Sequence, residues 1–158
     1  MTADNQRTSL HDFADEIGMY FEEKGLPRIP GRIFGWLLVC DPPYQSAEEL
    51  ATELQISRGS ISTAMQMMTR GGSVERHHVR GSRRTYYRVR PGRWLDEAAK
   101  QARQAAEMVK VADRGLEMLA GASPEQRQRL QEMHDMYDFL SEEYSLIESK
   151  WRRRQQEQ

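Results

Sequence analysis

Apolar positions recur along most of this chain at alternating steps of three and four, the spacing that lines one face of an α-helix. Leu10, Phe13, Ile17 and Tyr20 make the first such stripe and predict an amphipathic helix that ends near Gly25, with Ser9 as its N-terminal cap. Pro27 and Pro30 break the chain. A second short helix then runs through Ile33, Phe34, Trp36, Leu37 and Leu38 until Asp41-Pro42-Pro43 forbids its continuation. Ser46 caps a third helix with Ala47, Leu50, Ala51 and Leu54 on one face. The turn Gln55-Ile56-Ser57 leads into a fourth, from Arg58 to about Arg70, with Ile61, Ala64, Met65 and Met68 inward and a left-handed C-cap at Gly71-Gly72. The period then drops to two, and residues 73–80 and 85–90 predict strands around the turn Gly81-Ser82-Arg83. Two helices joined by a tight turn and followed by a hairpin make a winged helix-turn-helix.

From Arg93 the helical period returns through Leu95, Ala98, Ala102, Ala105, Val109, Ala112, Leu116 and Leu119, a seam whose alanines admit another helix closely. Ser123-Pro124-Glu125-Gln126 predicts a capping box with proline at the first helical position. The last helix carries Leu130, Met133, Tyr137, Leu140, Tyr144, Ile147 and Trp151, and the tail from Arg152 to Gln158 is expected to fray. The expected fold is mainly α with a small β-hairpin wing, in three segments: an N-terminal dimerisation helix over 1–25, a winged helix-turn-helix over 28–92 and C-terminal dimerisation helices over 93–154. The flanking seams hold more apolar surface than a small winged helix can cover, and a reader of duplex DNA gains spacing specificity from a second copy. A homodimer through Leu10, Phe13, Ile17, Ala102, Ala105, Val109, Tyr137, Leu140 and Tyr144 is therefore expected; the alternative is a bundle internal to one chain.

Charge sharpens this picture. The chain has a net charge of -1, yet residues 58–93 hold nine arginines, one acid (Glu75) and no lysine, a local +8 that leaves -9 for the rest. Guanidinium groups offer several fixed donors and stay protonated, which suits phosphates and base edges. In a helix-turn-helix the second helix enters the major groove by its N-terminal residues. Here those are Arg58, Ser60, Ser62, Thr63 and Gln66, and Gln66 has the amide to bond adenine bidentately. The plainer role for Ser60 and Ser62 is to cap and solvate the helix. Arg80, Arg83 and Arg84 cluster at the hairpin tip, where a wing meets the minor groove. Arg76, Arg88 and Arg90 suit phosphates, unless Arg88 or Arg90 pairs with Glu75; of Tyr86 and Tyr87, one packs on the core.

Other classes are disfavoured. His77 and His78 are adjacent and on a strand point to opposite faces, His11 stands alone, and His134 with Asp135 and Asp138 suits a solvated surface. The chain has no glycine-rich phosphate loop, HExxH or nucleophile elbow. No catalytic residue, cofactor or metal is expected. The start from Met1 to Arg7 lacks the apolar core of a secretory signal, and Ile33 to Cys40 is too short to span a bilayer, so a cytoplasmic protein without membrane insertion is expected. Cys40 lies in that apolar run and reads as a buried, inert thiol. The competing function is a winged-helix module for protein contacts or nonspecific DNA association.

The stretches Gly31-Arg32-Ile33-Phe34-Gly35-Trp36-Leu37-Leu38, Ser46-Ala47-Glu48-Glu49-Leu50-Ala51, Ser60-Ile61-Ser62 and Arg83-Arg84-Thr85-Tyr86-Tyr87 carry a resemblance. They are similar to the MarR-type transcriptional regulators, in particular the GbsR-like branch, and most of all to mycobacterial members that repress an MmpS-MmpL lipid and drug efflux pump. The resemblance covers about residues 10 to 150. It implies a dimeric repressor of a palindromic double-stranded DNA operator, with an apolar effector cleft between dimer domain and reader. Such wings commonly carry an acid near the tip that anchors an arginine; Ser82 stands in that neighbourhood here, which implies a looser wing before DNA binds. Phe13, Phe34, Trp36, Met108 and Leu116 are the apolar groups available for the cleft, and they suit a lipophilic small molecule. The alternative is that they fill a sealed core.

Overall fold

The structure, a computed structural model, describes residues 3–157; Met1 and Thr2 of the segment 1–25, and Gln158 of the tail, lie outside it. The described residues form two compact units that divide between Pro91 and Gly92.

The first unit opens with α1 (Ala3–Glu23) and α2 (Arg28–Val39). Ser9 is not a cap. The helix begins six residues earlier, and the Ser9 hydroxyl donates back to the Asn5 carbonyl, 3.0 Å away. Helix α1 ends as expected at Gly25, where φ is +74°: the Leu26 and Gly25 amides bond back to the Phe21 and Glu22 carbonyls, both at 2.9 Å. Pro30 does not break the chain either. It sits in the first turn of α2, where an amide has no intrahelical partner to lose. The two helices approach closely because small residues meet: a Cβ on Gly31 would lie 2.9 Å from the Gly18 Cα, and one on Gly35 2.9 Å from the Ala14 Cα. Arg32 and Asp15 close this crossing with an ion pair.

A two-residue strand, β1 (Gln45–Ser46), precedes α3 (Ala47–Leu54). Ser46 and Glu49 form a reciprocal capping box: the Glu49 amide donates to Ser46 Oγ at 3.2 Å and the Ser46 amide to Glu49 Oε2 at 2.7 Å. The turn after α3 needs a left-handed residue, supplied by Gln55 at φ 53°. Ser57 then caps α4 (Arg58–Arg70), which ends with Gly72 at φ +69°. The hairpin strands are shorter than expected, β2 (Val74–His77) and β3 (Tyr86–Val89), and the loop between them spans 78–85. The sheet has a third member that the period did not reveal, because β1 pairs antiparallel with β3 in the order β1-β3-β2. Ile33, Leu50, Ile61 and Val74 are fully buried, one each from α2, α3, α4 and β2, so a single core fixes the helix-turn-helix to its wing. Cys40 lies in that core; burial pushes its thiol up to about 11, which leaves it unreactive near neutral pH.

The second unit is a helical hairpin of α5 (Arg93–Met118) and α6 (Pro124–Gln156), packed along its length. Ala105 and Ala112 are buried in it, and Gly115 faces the Leu130 side chain so closely that a Cβ would meet it at 2.6 Å. The seam of α5 is thus occupied within one chain. Ser123 supplies its half of the expected box, accepting from the Gln126 amide at 3.2 Å with Pro124 at the helix start. Helix α6 continues past Arg152 to Gln156.

His134 has a more definite role than a solvated surface position. Its Nε2 lies 3.1 Å from Asp113 Oδ1 on α5 and its Nδ1 3.1 Å from Asp135 Oδ1. The hydrogen bond to Asp135, helped by the charges of Asp113, Asp135 and Asp138 against a smaller opposing effect of burial, raises its pKa above 6.5. A raised folded-state pKa adds stability that is complete below the unfolded value and lost as pH rises through the folded one. The hairpin should therefore melt higher at pH 6 than at pH 8, with the difference shrinking in His134→Asn; equal pH dependence of the two proteins would show that the bridge does not matter.

Candidate nucleic-acid interface

The nine arginines of residues 58–93 are spread over the two ends of α4 (Arg58, Arg70), the strands (Arg76, Arg88), the loop 78–85 (Arg80, Arg83, Arg84), the residue after β3 (Arg90) and the start of α5 (Arg93). On α4, Ser62, Thr63 and Gln66 are exposed, while Ser60 is half-buried. The Ser60 hydroxyl accepts from Ser57 Oγ at 2.9 Å and its amide donates to the same oxygen, so Ser60 serves the helix cap first. Thr63 donates to the Gly59 carbonyl at 3.1 Å. Ser62 and Gln66 face a groove of about 360 Å³ between α4 and the sheet, lined also by Met65, Thr69, Arg70, Arg76 and Tyr87. Nothing in the spacing of the sequence marks Arg70 for DNA. Its place in the last turn of α4 beside that groove adds a cation to the helix face that carries Ser62 and Gln66.

In the wing, Arg88 pairs with Glu75 directly across the strands, 2.8 Å from Nε to Oε1, which settles the choice between phosphate and acid for the free protein. Tyr87 packs on the core and Tyr86 stands edge-on to Tyr44, 5.4 Å between ring centres. His77 lies against the same Tyr44 ring at 4.7 Å. Arg80, Arg83 and Arg84 are exposed on the loop, where Gly81 takes a φ of +83°. Ser82 organises this turn: its amide donates to the Val79 carbonyl at 3.1 Å, its Oγ accepts from the Arg84 amide at 3.2 Å, and it lies 3.2 Å from the Tyr86 hydroxyl. A second acid, from outside the wing, approaches an arginine of its loop. It is Glu48 of α3, whose carboxylate reaches Arg58 at 3.4 Å and Arg84 at 3.7 Å.

Helix α1 is tied to α3 by Glu53, which accepts from Arg7 at 2.5 and 2.9 Å and lies 2.8 Å from His11 Nε2. The Arg7 hydrogen bond chiefly holds the Glu53 carboxyl below its ordinary pKa. His11 in turn stacks on Trp36, with ring centres 4.8 Å apart. Of the apolar groups considered for an effector, Phe34 and Trp36 are core residues of the first unit and Phe13 is half-buried on α1; Met108 and Leu116 are half-buried on α5. Leu10 and Ile17 pack against the first core, whereas Ala102, Val109, Tyr137, Leu140 and Tyr144 are half-buried in the helical hairpin. Among the described residues no group of three or more His, Cys, Asp or Glu side chains is placed to hold a metal, and no helix is long and apolar enough to cross a membrane.

Residues 92–155 match the family described as MmpR5-like MarR family transcriptional regulators. The chain is 44% identical over 131 residues to the HTH-type transcriptional regulator MmpR5 of Mycobacterium tuberculosis (strain ATCC 25618 / H37Rv), an alignment covering 83% of this chain and 79% of that protein. A solved structure described as that of a transcriptional regulator superposes with a TM-score of 0.73 at 41% identity, covering 92% of this chain and 99% of the other. The match of 92–155 falls on α5 and α6, within the second unit, whereas the 131-residue alignment with the Mycobacterium tuberculosis regulator reaches beyond it.

Proposed function

Because the chain belongs to the MarR family of transcriptional regulators, within its MmpR5-like group, we propose that it is a dimeric repressor. It holds a palindromic operator through α4 and the wing, is released by a lipophilic small molecule, and controls a transporter or efflux system. The observation that carries the DNA-binding surface is the bridge of Glu48 to Arg58 and Arg84: the start of α4 and the wing stand within one side chain's reach, and both present arginine. A surface of this kind takes phosphates with its guanidinium groups and base edges with Ser62 and Gln66.

Dimerisation is supported by α6. That helix buries no residue completely in one chain, and Met136, Phe139 and Leu146 on it are exposed. Exposed large apolar side chains of this number on one helix mark an interaction surface, and a second copy is the partner that gives a two-fold reader its half-site spacing.

An effector can relieve repression only as far as it prefers a conformation that fits the operator badly. Fatty-acyl amphiphiles titrated against the preformed DNA complex are expected to release it well below their micelle threshold. If none does, the lipophilic effector is wrong while DNA binding stands.

A further inference from the structure

Glu48 stands between two arginines of the DNA-facing surface, in the first turn of α3, where its charge also suits the helix N-terminus. Capping of α3 belongs to Ser46 and Glu49, and Glu48, between them in sequence, is 56% exposed at its side chain. Its Oε1 lies 3.4 Å from Arg58 Nη2 and its Oε2 3.7 Å from Arg84 Nη2, so one carboxylate spans the start of α4 and the wing. Both arginines are well exposed, at 83% and 59%. Ion pairs this open to solvent contribute little to stability. Their consequence is for a polyanion, because an arginine already facing a carboxylate must exchange it for phosphate.

We propose that Glu48 is a positioning residue that attenuates DNA binding: it holds Arg58 and Arg84 against each other in the free protein, and phosphate displaces it from both. This rests on the assignment of α4 and the wing as the DNA-binding surface. Binding to arbitrary sequence is almost wholly electrostatic, whereas an operator complex adds base contacts. A carboxylate that competes with phosphate costs the same free energy in either complex, so long as both arginines meet phosphate in each, and it weakens operator and nonspecific binding by a like factor. Glu48 thus lowers affinity and leaves the choice of sequence to the base contacts.

The test uses the full chain, a duplex that the native chain selects from a random-sequence pool, and a random duplex of equal length, each titrated over a series of salt concentrations. Glu48→Gln keeps the side chain's shape and should melt as the native protein does. It should bind both duplexes about three- to tenfold more tightly at moderate salt, by a similar factor on each, and steepen the log-log salt slope by about one. In an Arg58→Ala, Arg84→Ala background the same change should have almost no effect. Unchanged or weaker binding in the native background would overturn the proposal. So would a gain that persists without the two arginines, because Glu48 would then act by repelling phosphate directly. An Arg58→Ala, Arg84→Ala protein that binds DNA as well as the native chain would instead overturn the DNA-facing surface itself.

Discussion

Replacing Ala112 by glutamate should destabilise the helical hairpin by about 3–5 kcal/mol, the range for a charge left buried without a partner. Ala112 is fully buried on α5, in the unit formed by α5 and α6. A longer side chain there must either splay the helices or desolvate its carboxylate, and overpacking adds to the cost. The loss should appear as a lower melting temperature by circular dichroism. If the hairpin also carries the dimer, sedimentation and DNA binding should fail together with it. Ala99→Glu, at an exposed position of the same helix, is the control and should change stability by no more than about 0.5 kcal/mol. An Ala112→Glu protein that melts like the native one would place this residue on a solvated face.

The elements legible in the sequence are those whose chemistry is local. Gly25 and Gly72 announce the ends of α1 and α4 because each takes the positive φ that closes a helix. Ser46 and Ser123 announce helix starts because a hydroxyl answers an amide three residues on, and Ser57, read as part of a turn, proves to cap α4 in the same way. Ser9 misleads by the same rule, since the polar residues before it show no apolar period and yet extend α1, with Arg7 held by Glu53 of α3. What depends on distant partners stays hidden. Strand β1 has two residues and exists only by pairing with Tyr86 and Tyr87. The ties of Glu48 to Arg58 and Arg84, and of His134 to Asp113, join residues on different elements, which no spacing along one helix reveals. One such feature was within reach: Ala14 and Gly18, like Gly31 and Gly35, stand four apart, a pattern of small residues that lets two helices cross closely. In the proposed DNA-binding surface, residue type points to the loop arginines, but the sequence does not show that Ser60 serves the cap or that Arg88 faces Glu75.

The wing carries the second large effect. Arg83 and Arg84 are exposed on a loop that Ser82 organises through backbone and side-chain hydrogen bonds, so replacing both by alanine should leave the fold intact. Each guanidinium that meets phosphate releases counterions, so the log-log salt slope falls by about 0.9 for every phosphate no longer neutralised. Arg83→Ala with Arg84→Ala should therefore weaken operator binding at least about tenfold at moderate salt and flatten the slope by up to about two.

That pair of proteins also gives the most direct measurement of the central claim, that this chain reads a specific duplex through α4 and the wing. Operator binding is titrated for the native and doubly substituted chains against salt, in excess random competitor DNA. Retention of the native chain on the palindrome, with a weaker and flatter response from the folded double variant, is the expected result. Equal affinity and equal slope for the two, or loss of the native complex to competitor, would contradict it.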